Sequence, residues 1–201
     1  FEKAGLGELQ NRTYNLQKFF EEVFAPHVSS LQKQNRDRLI LFALKANDEI
    51  KCQLKNVDCI PVSEDDVLKN PKDLVNPKSS VASMFSRSDM VFPFGDDFNT
   101  DIVIGKLVEL GMVDHTIQEE TLYERCHSIA NLHNEDPPAA MERCRAVLRY
   151  ISESLSLRHQ GRIDAIKNRL KDIPFLPVSR EDETRDKQLP WKNKENCPRY
   201  A

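Results

Sequence analysis

The chain has 201 residues, enough for one large domain or two small ones with a real core. Its 29 basic and 32 acidic residues are interspersed and leave a net charge of −3, so no global field exists to attract nucleic acid or anionic lipid. No stretch approaches the roughly 18 apolar residues of a membrane helix, and no membrane insertion is expected.

The chain opens Phe1-Glu2-Lys3, with no initiator Met, basic region or apolar run, as expected of an internal segment of a larger protein without a signal peptide. From Gly7 to Phe24 the pattern is helical, with Leu16, Phe19, Phe20, Val23 and Phe24 on one apolar face and Pro26 as the expected stop. A second helix is expected from about Ser30 to Asn47. Leu39, Ile40, Ala43 and Leu44 form its apolar stripe, and Lys33, Arg36 and Arg38 are expected in water.

The period then changes. Val57, Cys59 and Pro61 alternate with Asp58 and Ile60 as in an edge strand, and Ser63-Glu64-Asp65-Asp66 reads as a turn. Extended runs end at Pro71 and Pro77, so residues 56–77 are expected to form a small antiparallel hairpin or three short strands. A single helical turn is expected around Val81–Phe85, and Phe92-Pro93-Phe94 reads as an aromatic plug held extended by its proline.

Thr100 or Asp101 caps a helix carrying Val103, Ile104, Leu107, Val108 and Leu110, with Gly111 as its left-handed end and Met112 folding back. Thr116 and Glu119 have capping-box spacing for a helix that aligns Leu122, Cys126, Ile129 and Ala130. Asp136-Pro137 starts the longest helix, whose stripe steps through Met141, Cys144, Leu148, Ile151 and Leu155. Beyond Gly161 a further helix carries Ile163, Ile166, Leu170 and Ile173, which suggests an antiparallel helical hairpin joined near that glycine.

The expected fold class is α+β, predominantly α-helical, with helical hairpins and short proline-tipped antiparallel strands. The expected divisions are an N-terminal helical part (1–55), a short-strand and loop unit (56–100), a helical bundle part (101–173) and a truncated second strand unit (174–201). One internal repeat supports a modular reading. Leu54–Ser63 recurs as Leu170–Ser179, 116 residues later, with five of ten positions identical and three close swaps. Helix-to-strand junctions that merely look alike are the alternative.

Motifs that carry chemistry are absent from the sequence. The six glycines (Gly5, Gly7, Gly95, Gly105, Gly111, Gly161) form no phosphate cradle. The five cysteines (Cys52, Cys59, Cys126, Cys144, Cys197) are odd in number and form no C-x-x-C pair, as expected of reduced cytosolic thiols. Cys126, His127, His133 and Cys144 have metal-ligand chemistry, but His127 and His133 lie about 240° apart around a helix, and the two thiols fall on apolar stripes. A Cys59 or Cys126 nucleophile needs a base, and His27, His115 and His159 sit at unrelated positions.

Asp65-Asp66 and Asp96-Asp97 are acid pairs that suit solvated turns better than acid–base work. Arg143, Arg145, Arg149 and Arg158 read as a solvated helix face answered by Glu142 and Glu153 rather than a nucleic-acid stripe. Phe85, Phe92, Phe94 and Phe98 are either a loop pinned to the core or an exposed patch. No catalytic, cofactor-binding or metal-ligating residue is assigned, and no cofactor is expected.

Residues 59–77 (Cys-Ile-Pro-Val-Ser-Glu-Asp-Asp-Val-Leu-Lys-Asn-Pro-Lys-Asp-Leu-Val-Asn-Pro), with Phe85, Phe92-Pro93, Phe98, Leu107–Met112 and Ile173–Val178, resemble the large repeats of the sacsin family of giant co-chaperones. The resemblance covers most of residues 10–180. It implies the helical and short-strand region that follows an Hsp90-like ATP-binding domain. It further implies cytosolic protein quality control, with links to the Hsp70 system, the proteasome, intermediate filaments and mitochondrial form through other domains. No ATP-site residue carries over, and no J-domain His-Pro-Asp occurs. The expected function is a non-catalytic structural and protein-interaction module that meets protein clients or neighbouring domains of its own chain. The alternative is an independent hydrolase or nucleotide-binding enzyme using the acidic or Cys/His residues.

Overall fold

The computed structural model describes residues 15–155, 164, 166 and 168–176. They fall into two compact units: residues 15–79 with 87–114, and residues 80–86 with the described residues from 115 onward. The fold is predominantly helical, with one small antiparallel sheet among the described residues.

In the first unit, Asn15 caps α1 (Leu16–Lys18), its side chain accepting the Lys18 N–H at 2.8 Å. The helix widens into a π-helical stretch (Phe19–Phe24), returns as α2 (Ala25–His27) and closes with a 3-10 turn (Val28–Ser30). Pro26 therefore does not end the helix. Its ring would clash with a carbonyl one turn back in a regular helix, and the wider π turns immediately before it relieve that clash. Phe20 and Phe24 are buried, whereas Leu16 and Val23 are exposed, so the apolar face is narrower than the sequence suggests.

The next helix, α3 (Lys33–Lys45), buries Ile40, Ala43 and Leu44, as the periodicity requires, and also Arg36. After it come α4 (Asp48–Lys51), capped by Asn47, and a 3-10 turn (Cys52–Leu54). The chain then forms β1 (Ile60–Pro61) and β2 (Leu68–Lys69), an antiparallel pair with Ile60 opposite Lys69 and Pro61 opposite Leu68. Pro61 occupies a position where its missing N–H costs nothing on the β2 side. Its carbonyl turns the other way and accepts the Phe94 N–H at 2.7 Å.

The expected in–out alternation here fails: Cys59, Ile60, Pro61 and Val62 are all buried, because this short strand has packing on both faces. The third extended segment does not join the hairpin. Val75 forms a parallel bridge with Val113 instead.

Thr100 caps α5 (Asp101–Glu109), accepting the Val103 N–H. Its C-terminal end is a Schellman motif, in which the Met112 N–H reaches Leu107 O and the Gly111 N–H reaches Val108 O, both at 3.0 Å. Gly111 has φ +111°, which a side chain would resist. Phe20, Phe24, Ile40, Leu44, Leu54, Ile60, Leu74, Phe98, Leu107 and Met112 belong to one continuous core.

The second unit is built on α6 (Glu119–Leu132) and α7 (Pro137–Leu155), which pack together across the His133–Asp136 connection. Thr116 is not the cap of α6. Gln118 holds that position without a side-chain hydrogen bond. Asp136 does cap α7, accepting the Ala139 N–H at 3.1 Å. The 3-10 turn Ser80–Met84 packs against α7 and buries Val81 and Met84.

The buried side of α7 is Ala140, Cys144, Val147 and Tyr150. Leu148, assigned to the core from the sequence, is 42% exposed. The apolar arc of α7 is wider than its contact, and packing selects the flank carrying Val147 and Tyr150, whose hydroxyl bonds to both the N–H and the carbonyl of Ile117. Gly161, Ile163 and the junction expected there lie outside the described residues. So do Pro177–Ser179 and Arg158.

The two copies of the internal repeat share a turn and then diverge. Each ends a helical segment with a two-residue turn. The closing bond is Val57 N–H to Leu54 O at 3.2 Å in one copy and Ile173 N–H to Leu170 O at 3.1 Å in the other. Beyond it the Cys59 N–H bonds across to Lys69 O and Ile60 enters β1, whereas the Phe175 N–H bonds back to Ile173 O and Leu176 is exposed.

Candidate functional site

The most concentrated polar chemistry of the first unit lies where the hairpin turn meets α3. The turn closes with a Val62 N–H to Val67 O bond of 2.9 Å, and Asp66 sits in the left-handed region at φ +62°. That conformation, which Asp tolerates better than most residues, carries the carboxylate next to Arg36. The guanidinium grips it through two bonds of 2.6 Å, Nη1 to Oδ2 and Nη2 to Oδ1. Nη2 and Nε of Arg36 also reach Asp37 Oδ1, at 2.9 and 3.2 Å.

Arg36, expected in water, is only 1% exposed. The Arg36 fork holds the Asp66 carboxyl below the usual range, helped by the charge of Lys33, which lies 3.6 Å away. Asp66 in turn raises the Arg36 guanidinium. A carboxylate held ionised by a buried arginine cannot serve as a proton donor near neutral pH. The Asp65-Asp66 pair is thus a turn whose second member is a clasp. Asp96 and Asp97 are exposed on a 3-10 turn (Asp96–Asn99).

A second charged cluster joins α4 to α5. Buried Lys51 contacts Asp48 Oδ1 at 2.7 Å and also pairs with Glu109, which Lys106 approaches at 2.9 Å. Hydrogen bonds that the Lys51 ammonium donates to Asp48 and Glu109 raise it, so it stays charged and cannot act as a nucleophilic amine. Lys78 and Asp101 form a further exposed pair.

The thiols considered for catalysis are inert by burial. Desolvation pushes Cys59 and Cys126 up to about 12 and also raises Cys144. His127 is exposed, on a different face of α6 from buried Cys126. Among the described residues no three His, Cys, Asp or Glu side chains converge as a metal-binding group, and no helix is long and apolar enough to cross a membrane.

The four phenylalanines do not form one feature. Phe98 is core, Phe94 is exposed with Lys33 Nζ 6.0 Å from its ring centroid, and Phe85 belongs to the second unit, where the Arg125 guanidinium lies 4.9 Å from its centroid. On α7, Arg145 and Arg149 are exposed, and Arg143 is half-buried.

Sequence reasoning missed Arg36, because its partner is thirty residues away. It also missed Arg169, which stacks 3.8 Å over the Tyr123 ring while binding both carboxylate oxygens of Glu120, at 3.0 and 2.9 Å. Each of these charged groups ties one segment of chain to another.

The chain is 35% identical over 182 residues to human Sacsin, a match that covers 88% of this chain and 4% of that protein. No family model matches the chain, and no solved structure does.

Proposed function

This chain belongs to the sacsin family, and from that premise we propose that it is a non-catalytic structural and protein-interaction module of a sacsin-like cytosolic co-chaperone acting in protein quality control. The observation that carries the reading is the extent of the likeness: 35% identity sustained over 88% of the chain. The chemistry of the side chains agrees with it. Asp66 is clasped by Arg36, Lys51 is bridged to Asp48 and Glu109, and the Cys59 and Cys126 thiols are desolvated. Links to the Hsp70 system and the proteasome belong to this proposal through other parts of a full-length protein, as do protein clients or neighbouring domains as direct partners.

Thermal unfolding with Mg-ATP, and separately with Zn²⁺, tests the reading. A ligand at a hundred times its dissociation constant stabilises by about 2.7 kcal/mol. The expected result is no shift with either. A saturable upward shift would favour the nucleotide-binding or metal-dependent alternative.

A further inference from the structure

The helix α3 has two faces of different character. Arg36, Ile40, Ala43 and Leu44 point into the first unit. On the outer side Gln34, Arg38, Phe42 and Lys45 are all exposed. They step by four, four and three, which places them within roughly 80° of the helix circumference, with Arg38 and Lys45 about 10 Å apart along the axis. Phe42, between the two cations, is 49% exposed, and half-buried Leu41 widens the apolar ground beside it.

The nearby carboxylates are engaged elsewhere: Asp37 bonds to Arg36, and Asp48 to Lys51. An exposed aromatic alone would call for no explanation. Here it lies between two cations with no acidic residue on the stripe. Arg and aromatic side chains are the types that carry binding energy in protein interfaces.

We infer that this outer stripe of α3 docks an acidic peptide segment of a protein partner. An apolar side chain of the partner covers Phe42, and its flanking carboxylates meet Arg38 and Lys45. The inference rests on the protein-interaction reading and deepens it by naming the chemistry of the partner. Arg38 and Lys45 on either side of Phe42 set the register of the partner's carboxylates. Two cations flanking an exposed ring, with no acidic side chain on the stripe, favour an acidic segment here over a basic one.

The test uses the whole 201-residue chain and a short fluorescein-labelled peptide with Leu-Phe at its centre and Glu-Asp on each side. Fluorescence anisotropy should show saturable binding that weakens with added salt, and a peptide with Lys in place of the acids should not bind. Phe42→Ser, and separately Arg38→Glu with Lys45→Glu, should each weaken binding by about tenfold or more. Both variants change exposed groups, so their unfolding curves should match the parent. Amide shifts in an NMR titration should centre on residues 34–45.

Absence of binding, affinity unchanged in both variants, or shifts centred elsewhere would overturn the assignment. So would self-association abolished by Phe42→Ser, which would make a second copy the occupant. Binding through the same side chains to phosphatidylserine vesicles but not to the peptide would overturn it in favour of a lipid surface. Peptide binding at another surface would sink the stripe and leave the interaction-module reading standing, whereas a thermal shift with Mg-ATP would strike at that reading itself.

Discussion

Replacing Asp66 with Asn removes the charge that Arg36 was folded around while keeping a residue that tolerates the left-handed turn. Arg36 is 1% exposed and keeps Asp37 as its carboxylate partner. The Asn amide oxygen can accept one of the two former 2.6 Å bonds, while the other position becomes an NH2 facing the guanidinium. Leaving a fully buried charge without its partner costs about 3–5 kcal/mol. Here Asp37 remains and one third of the Asp66 side chain is open to water, which brings the expected loss to about 2 kcal/mol.

The opposite deletion, Arg36→Met, leaves Asp66 its access to water and fills the buried space with an apolar chain. It should cost about 1 kcal/mol or less. Denaturant unfolding at neutral pH measures both. Arg36→Met proving the more damaging of the two would refute the assignment of the cost to burial of the guanidinium. The pH dependence has a definite sign. The native Asp66 carboxyl lies below its unfolded value, so its stabilisation is complete above about pH 4 and is lost as pH falls through the depressed native value. The gap between the parent and Asp66→Asn should therefore shrink in acid.

Leu107→Ala should cost about 2–5 kcal/mol, because that side chain is fully buried, while Leu148→Ala should cost well under 1 kcal/mol, and denaturant unfolding of the pair checks the reassigned face of α7. Tyr150→Phe should destabilise by about 1–3 kcal/mol, since it strips partners from two buried backbone groups of Ile117, and faster amide exchange at Ile117 would show it directly. Thiol labelling at pH 8 followed by peptide mapping should modify exposed Cys52 quickly and Cys59 and Cys126 only on unfolding.

Features set by a few adjacent residues were legible in the sequence. Thr100, Asp136-Pro137 and Gly111 each determine a helix end through their own backbone and side-chain chemistry, and all three do so in the structure. The hairpin turn at Ser63–Asp66 was legible for the same reason. Features that depend on distant partners were not. Nothing local distinguishes Arg36 from its neighbour Arg38, yet one is buried on Asp66 and the other is exposed.

Likewise Leu148 and Val147 are equally apolar, and only the packing around α7 decides which is covered. Pro26 has a clear local meaning, a helix stop, that the preceding π turns override. The charged groups that looked like candidate chemistry were found by residue type. What they do was set by burial, which no single residue announces.

The most direct test of a protein-binding, non-catalytic module is one amide NMR titration of the chain, first with Mg-ATP and then with a permanently unfolded acidic protein such as reduced, carboxymethylated α-lactalbumin. The expected result is an unchanged spectrum with Mg-ATP and saturable shifts with the unfolded chain. A cluster of saturable shifts with Mg-ATP and none with the unfolded protein would contradict it.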